Sequence, residues 1–197
     1  MLEIVLLATA YIVGSIPFSL IIPKLLCKID IRKIGSGNIG ATNVYRACGI
    51  KIAILCFLLD GFKGFVAIIV ASKLLNLGHE HQYLFAFAAI LGHVYSIFLK
   101  FKGGKGVATS IFTILAIDPA ITLLFAIIWV AVFYIKKISS LAALSAFFVL
   151  AIVGVCFQSF LGGGAATFYI LLFIFVCFTH KTNIKRILEG TESKTKR

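Results

Sequence analysis

A glycine-rich segment, GSGNIGATNVYR at residues 35–46, groups together residue types that bind anions. It contains a G-x-G-x-x-G pattern, and Asp60 follows Gly40 at about the spacing of a dinucleotide-binding fingerprint. That class of protein needs a strand before the glycines and a βαβ unit around them, whereas here the preceding residues are apolar and basic. Asp60 itself lies inside another apolar run. The pattern therefore indicates a phosphate-binding turn, in which backbone N–H groups, hydroxyls and amides face an anion, and argues against a dinucleotide site.

A second segment of glycine and lysine, FKGGKGVAT at residues 101–109, suggests similar chemistry. Gly103 and Gly104 let the backbone approach a ligand closely, and Lys105 offers a compact positive charge. The spacing differs from the G-x-x-x-x-G-K-[ST] of a P-loop, so a nucleoside triphosphate is not favoured. If a helix opens at the two glycines, its first N–H groups and Lys105 face the same anion. The alternative is a basic loop against anionic lipid head groups.

The third polar segment, HKTNIKR, stands near the end of the chain at residues 180–186. Its His180 and Asn183 are three residues apart, so on a continuing helix they share a face and reach one polar ligand. The alternative for each is a cap on backbone groups at a membrane interface.

Asp60, Lys63 and His93 lie well inside apolar runs, where a charge is costly unless it is paired or functional. Asp60 and Lys63 are three residues apart on one run, which predicts a structural ion pair that supports the site. His93, on the next run, is predicted to be a packed residue or one that supports the site indirectly.

These segments must be positioned by apolar helices. Of the 197 residues, 61% are hydrophobic and 13% are charged, against about 45–50% apolar residues in an average soluble domain. We therefore expect an all-α polytopic membrane protein, with residues 1–197 forming a single integral-membrane domain.

The N-terminus lacks a basic segment before its first apolar run, which predicts a retained span and not a cleaved signal peptide. The apolar runs predict seven spans, at residues 2–24, 50–72, 83–99, 107–118, 119–135, 138–158 and 165–179. The fourth and fifth are short for a bilayer about 30 Å thick.

The net charge of +12 is explained by topology. With the N-terminus outside and the C-terminus inside, all of the 19 Lys and Arg residues except Lys63 and Lys73 lie in inner segments. This asymmetry predicts that orientation and makes a nucleic-acid partner unnecessary. It places the three polar segments, together with Ser139 and Ser140, on the cytoplasmic face.

The five cysteines show no paired spacing, and three of them fall within apolar runs. We expect neither a disulfide framework nor a zinc site, and interpret the cysteines as small apolar side chains. No cluster of metal ligands is visible in the sequence, so no metal or other cofactor is expected.

The motifs GSGNIGATNVYR, FKGGKGVAT with Gly92–His93 upstream, and HKTNIKRIL resemble, in this order, the signature segments of the bacterial acyl-phosphate:glycerol-3-phosphate acyltransferase family. The resemblance runs along the whole chain, and the segment from Lys136 to Ser140 is a looser match to the family's serine-bearing loop. It implies transfer of a fatty acyl group from acyl phosphate to the 1-hydroxyl of glycerol 3-phosphate, giving lysophosphatidic acid and phosphate as the first step of bacterial phospholipid synthesis. The implied location is the bacterial inner membrane, with the active site facing the cytoplasm and membrane lipid around a monomer.

The resemblance also implies residue roles. The residues expected to cradle the acyl phosphate and the developing oxyanion are Ser36, Gly37, Asn38, Gly40 and Thr42. The residues expected to hold glycerol 3-phosphate are Arg46, Lys105, Ser140, His180 and Asn183, beside the glycines Gly103 and Gly104. The direct catalytic contribution is assigned to Ser36, Asn38, Lys105, His180 and Asn183.

No cysteine or serine stands beside an evident base, so direct attack by the substrate hydroxyl is favoured over an acyl-enzyme. The base is either His180 or the phosphate leaving group, and the resemblance favours the phosphate. The competing function is a membrane transporter of phosphorylated metabolites. Against it, the halves show no repeat, and nearly all of the basic groups lie at one interface. An acyl-CoA-dependent acyltransferase with an H-x4-D motif is not supported, because no histidine has an aspartate five residues later.

Overall fold

The structure is a computed structural model that describes residues 1–76 and 78–194, without the side chains of residues 79 and 80. Lys196 and Arg197, two of the inner basic residues that predict the orientation, lie outside the described residues. Leu77, in a predicted outer segment, also lies outside them. The regular structure of the described residues is entirely helical, so the all-α prediction is confirmed. The chain divides into two compact units, Met1–Ala116 and Ile117–Arg197.

The first unit contains six α-helices in its described residues: α1 (Leu2–Ser15), α2 (Phe18–Leu26), α3 (Ala41–Cys48), α4 (Ile50–Leu75), α5 (His79–Val94) and α6 (Val107–Ile117), the last ending at the unit boundary. Short 3₁₀ turns stand at Ile31–Lys33 and Ile97–Leu99. The second unit contains α7 (Pro119–Lys136), α8 (Ser139–Cys156), α9 (Gln158–Leu161), α10 (Ala165–Thr179) and α11 (Lys181–Leu188).

The first predicted span is broken in two at Pro17. Proline lacks an N–H and disfavours helical geometry in the residue before it, and Ile16 is accordingly extended, with φ −62° and ψ 117°. The break leaves backbone groups that an uninterrupted helix would pair internally. Polar side chains from α4 take over two of them, because Lys63 Nζ donates to the Ile16 carbonyl at 2.6 Å and the Ser19 N–H donates to Asp60 Oδ2 at 3.2 Å.

Asp60 and Lys63 form the predicted ion pair, with Nζ 2.9 Å from Oδ1 and both side chains almost completely buried. The pair therefore compensates two charges within an apolar helix and also satisfies backbone groups at the α1–α2 break. The prediction of a structural ion pair is confirmed.

Glycine allows α1 and α5 to approach closely. A Cβ on Gly14 would overlap the carbonyl of Ala89, and one on Gly92 would overlap the carbonyl of Tyr11. Small residues at such crossings are a common means of packing helices in membranes. Beyond the crossing, the Ser96 hydroxyl donates to the Ser15 carbonyl at 2.6 Å, which ties the segment after α5 to the end of α1.

In the second unit, α8 lies against both α7 and α10. The buried face of α8 consists mostly of small residues, and Gly154 leaves room for the ring of Tyr169 from α10. Phe147 of α8 packs edge-on against Phe125 of α7 with 4.8 Å between ring centroids.

Fewer spans are evident than the seven predicted. Five helical segments in the described residues are long and apolar enough to cross a membrane, at Leu2–Leu26, Ile50–Leu75, His81–Leu99, Pro119–Lys136 and Ser139–Cys156. A sixth results if α10 and α11, bent by 69° at their junction, are counted as one broken span. The remaining apolar helix, α6, has 11 residues, which at 1.5 Å per residue cover roughly 16 Å of a hydrocarbon layer about 30 Å thick.

The interpretation of all five cysteines as separate apolar side chains is wrong for two of them. Cys27, just after α2, and Cys48, the last residue of α3, form a disulfide with 6.2 Å between their Cα atoms. The two residues are 21 positions apart, so their spacing alone does not predict a pair; the turn that returns α3 against α2 brings them together. Cys56, Cys156 and Cys177 are free thiols, as expected.

Candidate functional site: two glycine loops and a carboxylate-centred cluster

The first glycine loop is organised around the side chain of Asn43, which is 2% exposed. Its Oδ1 accepts the Ser36 N–H at 3.2 Å. Its Nδ2 lies at hydrogen-bond distance from three loop carbonyls, those of Ile31 at 2.9 Å, Ile34 at 3.0 Å and Asn38 at 3.1 Å. One buried amide thus holds the chain from residue 31 to residue 38 in its turn. Sequence reasoning assigned no role to Asn43, although it ends the polar run GATN.

Two glycines of this loop are required by conformation. Gly35 and Gly37 have φ of +58° and +69°, a region that side chains disfavour. A Cβ on Gly35 would also overlap Asn43 Oδ1. Gly40, by contrast, is extended at φ −174° and precedes α3 as its N-cap.

The loop offers fewer backbone donors than the sequence predicts. The N–H of Ser36 donates to Asn43, that of Gly37 to the Ile34 carbonyl at 3.0 Å, and that of Asn38 to the Ser36 hydroxyl at 3.4 Å. In the described structure these N–H groups stabilise the loop itself, and a backbone cradle at Ser36, Gly37 and Asn38 stays a prediction. The groups suited to bind an anion are the side chains of Ser36 and Asn38.

Helix α3 adds Thr42, in its first turn, and Arg46, in its last turn, to this loop. The two residues are four apart on one helix, so they share a face. Arg46 is exposed and Thr42 is half-buried. The positive end of the α3 dipole lies at Gly40, Ala41 and Thr42, where it favours an anion.

The second glycine loop is folded back against the end of α5. The Gly103 N–H donates to the Val94 carbonyl at 2.9 Å and the Gly104 N–H to the His93 carbonyl at 3.1 Å. Helix α6 begins at Val107, where the fourth apolar run was predicted to start, so the condition that a helix opens at Gly103 and Gly104 is not met. The half-buried Lys105 stands between these bonds and the first turn of α6.

Gly104 brings the two loops into contact. A Cβ at this position would overlap both the Ile39 carbonyl of the first loop and Nε2 of His93. The structure therefore places the glycine segment before Lys105 directly against the segment that carries Asn38 and Gly40.

In the second unit, three donors meet on one carboxylate. The Ser140 hydroxyl donates to Glu192 Oε1 at 2.7 Å, Asn183 Nδ2 donates to the same oxygen, and Arg186 Nε donates to Oε2 at 2.6 Å. The predicted residues Ser140 and Asn183 are thus brought together, while Arg186 and Glu192 were not predicted as site residues. Arg186 was visible as part of HKTNIKR, but nothing local to Glu192 distinguishes it from an ordinary polar tail.

These donors keep Glu192 ionised. Burial raises the pKa of the carboxyl, but the hydrogen bonds from Arg186, Ser140 and Asn183 and the charge of Arg186 outweigh it, and the net pKa is lowered. The cluster is therefore a set of donors arranged around a negative oxygen group.

His180 lies at the corner between α10 and α11 and is 3% exposed. The expectation of a continuing helix is wrong, because the chain bends by 69° here. The His180 Nδ1 lies 2.9 Å from the Val176 carbonyl. A carbonyl only accepts, so Nδ1 carries the hydrogen and Nε2 of the neutral ring is the basic nitrogen.

Comparison with known proteins assigns the chain to a family. The sequence profile described as glycerol-3-phosphate acyltransferase matches residues 4–190. The chain belongs to the glycerol-3-phosphate acyltransferase family. It is 43% identical over 185 residues to the glycerol-3-phosphate acyltransferase of Wolbachia sp. subsp. Brugia malayi, covering 94% of each chain. It is 39% identical over 184 residues to that of Thermotoga petrophila, covering 93% of this chain and 92% of the relative.

The fold is also that of solved acyltransferases. The crystal structure of PlsY (YgiH), an integral membrane glycerol 3-phosphate acyltransferase, in its glycerol 3-phosphate form is 35% identical and superimposes with a TM-score of 0.90, covering 100% of this chain and 96% of that one. Its lysophosphatidic acid form gives a TM-score of 0.87. The predicted family, the enzyme class and the integral-membrane character are confirmed, and the transporter alternative is not favoured.

Proposed function

We propose that this glycerol-3-phosphate acyltransferase takes its acyl group from acyl phosphate and transfers it to the 1-hydroxyl of glycerol 3-phosphate, releasing lysophosphatidic acid and inorganic phosphate. The observation that carries the proposal is the contact between the two glycine loops at Gly104 and Ile39. The two loops would supply the two anion sites that two phosphate-bearing substrates require, and the cations beside them, Arg46 and Lys105, are both assigned to glycerol 3-phosphate. The glycerol 3-phosphate and lysophosphatidic acid forms of the related PlsY support the acceptor and the product.

In the first loop, the side chains of Ser36, Asn38 and Thr42 would hold the acyl phosphate and stabilise the oxyanion that forms at its carbonyl carbon. Gly37 and Gly40 leave room for the phosphate to approach the backbone. The loop is pre-organised by Asn43, so these donors need little rearrangement when charge develops.

For glycerol 3-phosphate, the proposed ligands are the cations Arg46 and Lys105. Gly103 and Gly104 have no side chains, so the substrate could approach the backbone beside Lys105. Ser140, Asn183 and His180 are proposed as further ligands. Since the Ser140 hydrogen is directed to Glu192, its oxygen is suited to accept a hydrogen bond from a glycerol hydroxyl.

The proposed chemistry is direct attack of the 1-hydroxyl oxygen on the acyl carbonyl carbon. The new ester C–O bond forms, the C–O bond to phosphate breaks, and the hydroxyl proton passes to the departing phosphate. The basic Nε2 of His180 is the alternative acceptor of that proton. In either route the protein contributes mainly proximity and charge stabilisation, with no cofactor and no metal.

We further propose seven spans in a single acyltransferase domain of residues 1–197, with the N-terminus outside and the C-terminus in the cytoplasm. The distribution of Lys and Arg supports this orientation, because only Lys63 and Lys73 lie outside the inner segments. The short helix α6 would be a thinly covered crossing, or one lengthened by the glycine segments that flank it. The protein would then act as a monomer in the bacterial inner membrane, surrounded by lipid, with no nucleic-acid partner.

The deciding experiment offers the purified protein glycerol 3-phosphate with either acyl phosphate or acyl-CoA, without added metal. Lysophosphatidic acid from acyl phosphate alone is the expected result. Product from acyl-CoA alone would overturn the donor assignment. Vesicles containing the protein provide a check on the transporter alternative, since uptake of glycerol 3-phosphate without lipid product would contradict the proposal.

A further inference from the structure

The imidazole of His93 lies between the buried ion pair and the second glycine loop. The side chain is 6% exposed, at the last turn of α5. Its Nδ1 faces Asp60 Oδ1 at 3.8 Å and has no hydrogen-bond partner in the described structure. Its Nε2 faces Gly104, where any Cβ would overlap it. One flat ring therefore fills the space between a fixed carboxylate and the backbone of the loop.

The carboxylate on the inner side of the ring is held at several points. Asp60 pairs with Lys63 Nζ at 2.9 Å and accepts the Ser19 N–H at 3.2 Å. Its backbone carbonyl accepts the Thr109 hydroxyl at 2.8 Å. Thr109 is in the first turn of α6, so the far end of the glycine loop is tied to the residue against which His93 rests.

The near end of the loop is tied to His93 itself. The His93 carbonyl accepts the Gly104 N–H at 3.1 Å, and the neighbouring Val94 carbonyl accepts the Gly103 N–H at 2.9 Å. The backbone of His93 thus fixes where the loop starts, while its ring fixes how closely Gly104 approaches α4. On the other side Gly104 is limited by the Ile39 carbonyl of the first loop.

If the ring of His93 only filled space, an apolar side chain of similar size would be more stable there, because the buried Nδ1 has no hydrogen-bond partner in the described structure and carries a desolvation penalty. The position instead calls for a planar group that fits between the Asp60 carboxylate and the backbone of Gly104. We propose that His93 is a positioning residue for the acyltransferase reaction, setting the separation between the Gly103–Gly104 turn and the first glycine loop and thereby the placement of Lys105 for glycerol 3-phosphate.

This inference rests on the proposed assignment of Lys105 to glycerol 3-phosphate. It goes beyond that assignment by naming a residue that contacts neither the substrate nor the reacting atoms. A change in His93 should therefore weaken the binding of glycerol 3-phosphate more than that of the acyl donor.

The test compares His93→Gln, His93→Asn and His93→Ala in the purified full-length enzyme, with His81→Ala as the control. Gln places an amide nitrogen near the position of Nε2, Asn places one near Nδ1, and Ala supplies neither. His81 lies on the same helix but is exposed and remote from the loop. Each variant is characterised by the KM for glycerol 3-phosphate, the KM for acyl phosphate, kcat, and thermal unfolding in detergent.

We expect the KM for glycerol 3-phosphate to rise about tenfold in His93→Ala and His93→Asn, because a displaced Lys105 would lose roughly one well-placed polar contact to this substrate. His93→Gln should restore most of the affinity, and the KM for acyl phosphate should stay within about twofold throughout, less than the effect of one such contact. His81→Ala should match the wild type.

An unchanged KM for glycerol 3-phosphate in all three variants, with only their unfolding temperatures lowered, would overturn the inference and leave His93 as a packing residue. Equal increases in both KM values would also overturn it. Absence of turnover by the wild type with acyl phosphate would overturn the proposed function and this inference with it, and the wild-type reference identifies that case separately. Rescue by Gln but not by Asn supports positioning through Nε2.

Discussion

Asn43 Oδ1 accepts the backbone N–H of Ser36 at 3.2 Å, across seven positions of sequence. The Nδ2 of the same side chain, with its two N–H groups, lies at hydrogen-bond distance from three carbonyls of the loop. The buried amide of Asn43 therefore holds the glycine loop in place, and this fixes the backbone that carries the residues proposed to bind acyl phosphate.

Asn43→Asp is expected to lower kcat/KM strongly. The change preserves size but replaces the donor Nδ2 with a second carboxylate oxygen facing three carbonyls. One buried group left without a partner costs about 1–3 kcal/mol, which corresponds to roughly tenfold to a hundredfold in kcat/KM if the loop distorts. Steady-state kinetics measure the effect. Asn76→Asp, at the exposed and left-handed C-cap of α4, is the control and should retain activity. Full activity of Asn43→Asp would contradict the role of this amide.

Lys63→Met is expected to destabilise the protein because it leaves the Asp60 carboxylate buried and unpaired. Breaking a buried pair by removing one partner costs about 3–5 kcal/mol. The double variant Asp60→Asn with Lys63→Met should recover part of this loss, since no buried charge then remains. Denaturant unfolding in detergent measures both. Additive losses in the double variant would show that the pair is not energetically coupled.

Glu192→Gln is expected to remove part of the acid sensitivity of the enzyme. The folded-state pKa of Glu192 is lowered by its donors, so the carboxylate contributes stability above its unfolded pKa. That contribution is lost as the pH falls through the lowered folded pKa. The unfolding temperature of the wild type should therefore drop more steeply below about pH 4.5 than that of Glu192→Gln. Glu189→Gln, an exposed change on the same segment, should follow the wild type. Parallel curves for the wild type and Glu192→Gln would contradict the prediction.

His180→Ala is expected to raise the KM for glycerol 3-phosphate while leaving measurable turnover at saturation, because in the proposed route the leaving phosphate accepts the hydroxyl proton. Kinetics at saturating acceptor, together with binding of glycerol 3-phosphate by calorimetry, separate the two effects. Abolished turnover with intact binding would instead identify Nε2 of His180 as the base.

Reduction of the Cys27–Cys48 disulfide is expected to lower stability. A bond that closes a loop of about 21 residues contributes roughly 3 kcal/mol in the chain-entropy description. Mass spectrometry of the alkylated protein should show two additional reactive thiols after reduction, and the Cys27→Ser variant should unfold at a lower temperature without reductant. Cys156→Ser, which removes an exposed free thiol, is the control. Identical unfolding with and without reductant would contradict a stabilising bond.

Much of the architecture followed from local pattern. Long apolar runs predict membrane helices because an unpaired backbone group in hydrocarbon is costly, and the helices α1, α4, α5, α7 and α8 lie where those runs do. Asp60 and Lys63 were predictable as an ion pair because three residues of helix place them on one face. The three motifs identified the family because their order and residue types are specific.

Other features depend on contacts between residues distant in sequence. The roles of Asn43 and Glu192 could not be predicted from local sequence, because their hydrogen-bond partners are brought to them by turns in the chain. Cys27 and Cys48 pair because α3 returns against α2. The bend at His180 breaks a helix that its sequence would continue, and Gly104 is constrained by Ile39 and His93 from two other segments. The sequence by itself determined the helices, the chemical character of the loops and the family. The tertiary structure decided which groups organise each loop, because hydrogen bonding and close packing depend on distances that no local pattern specifies.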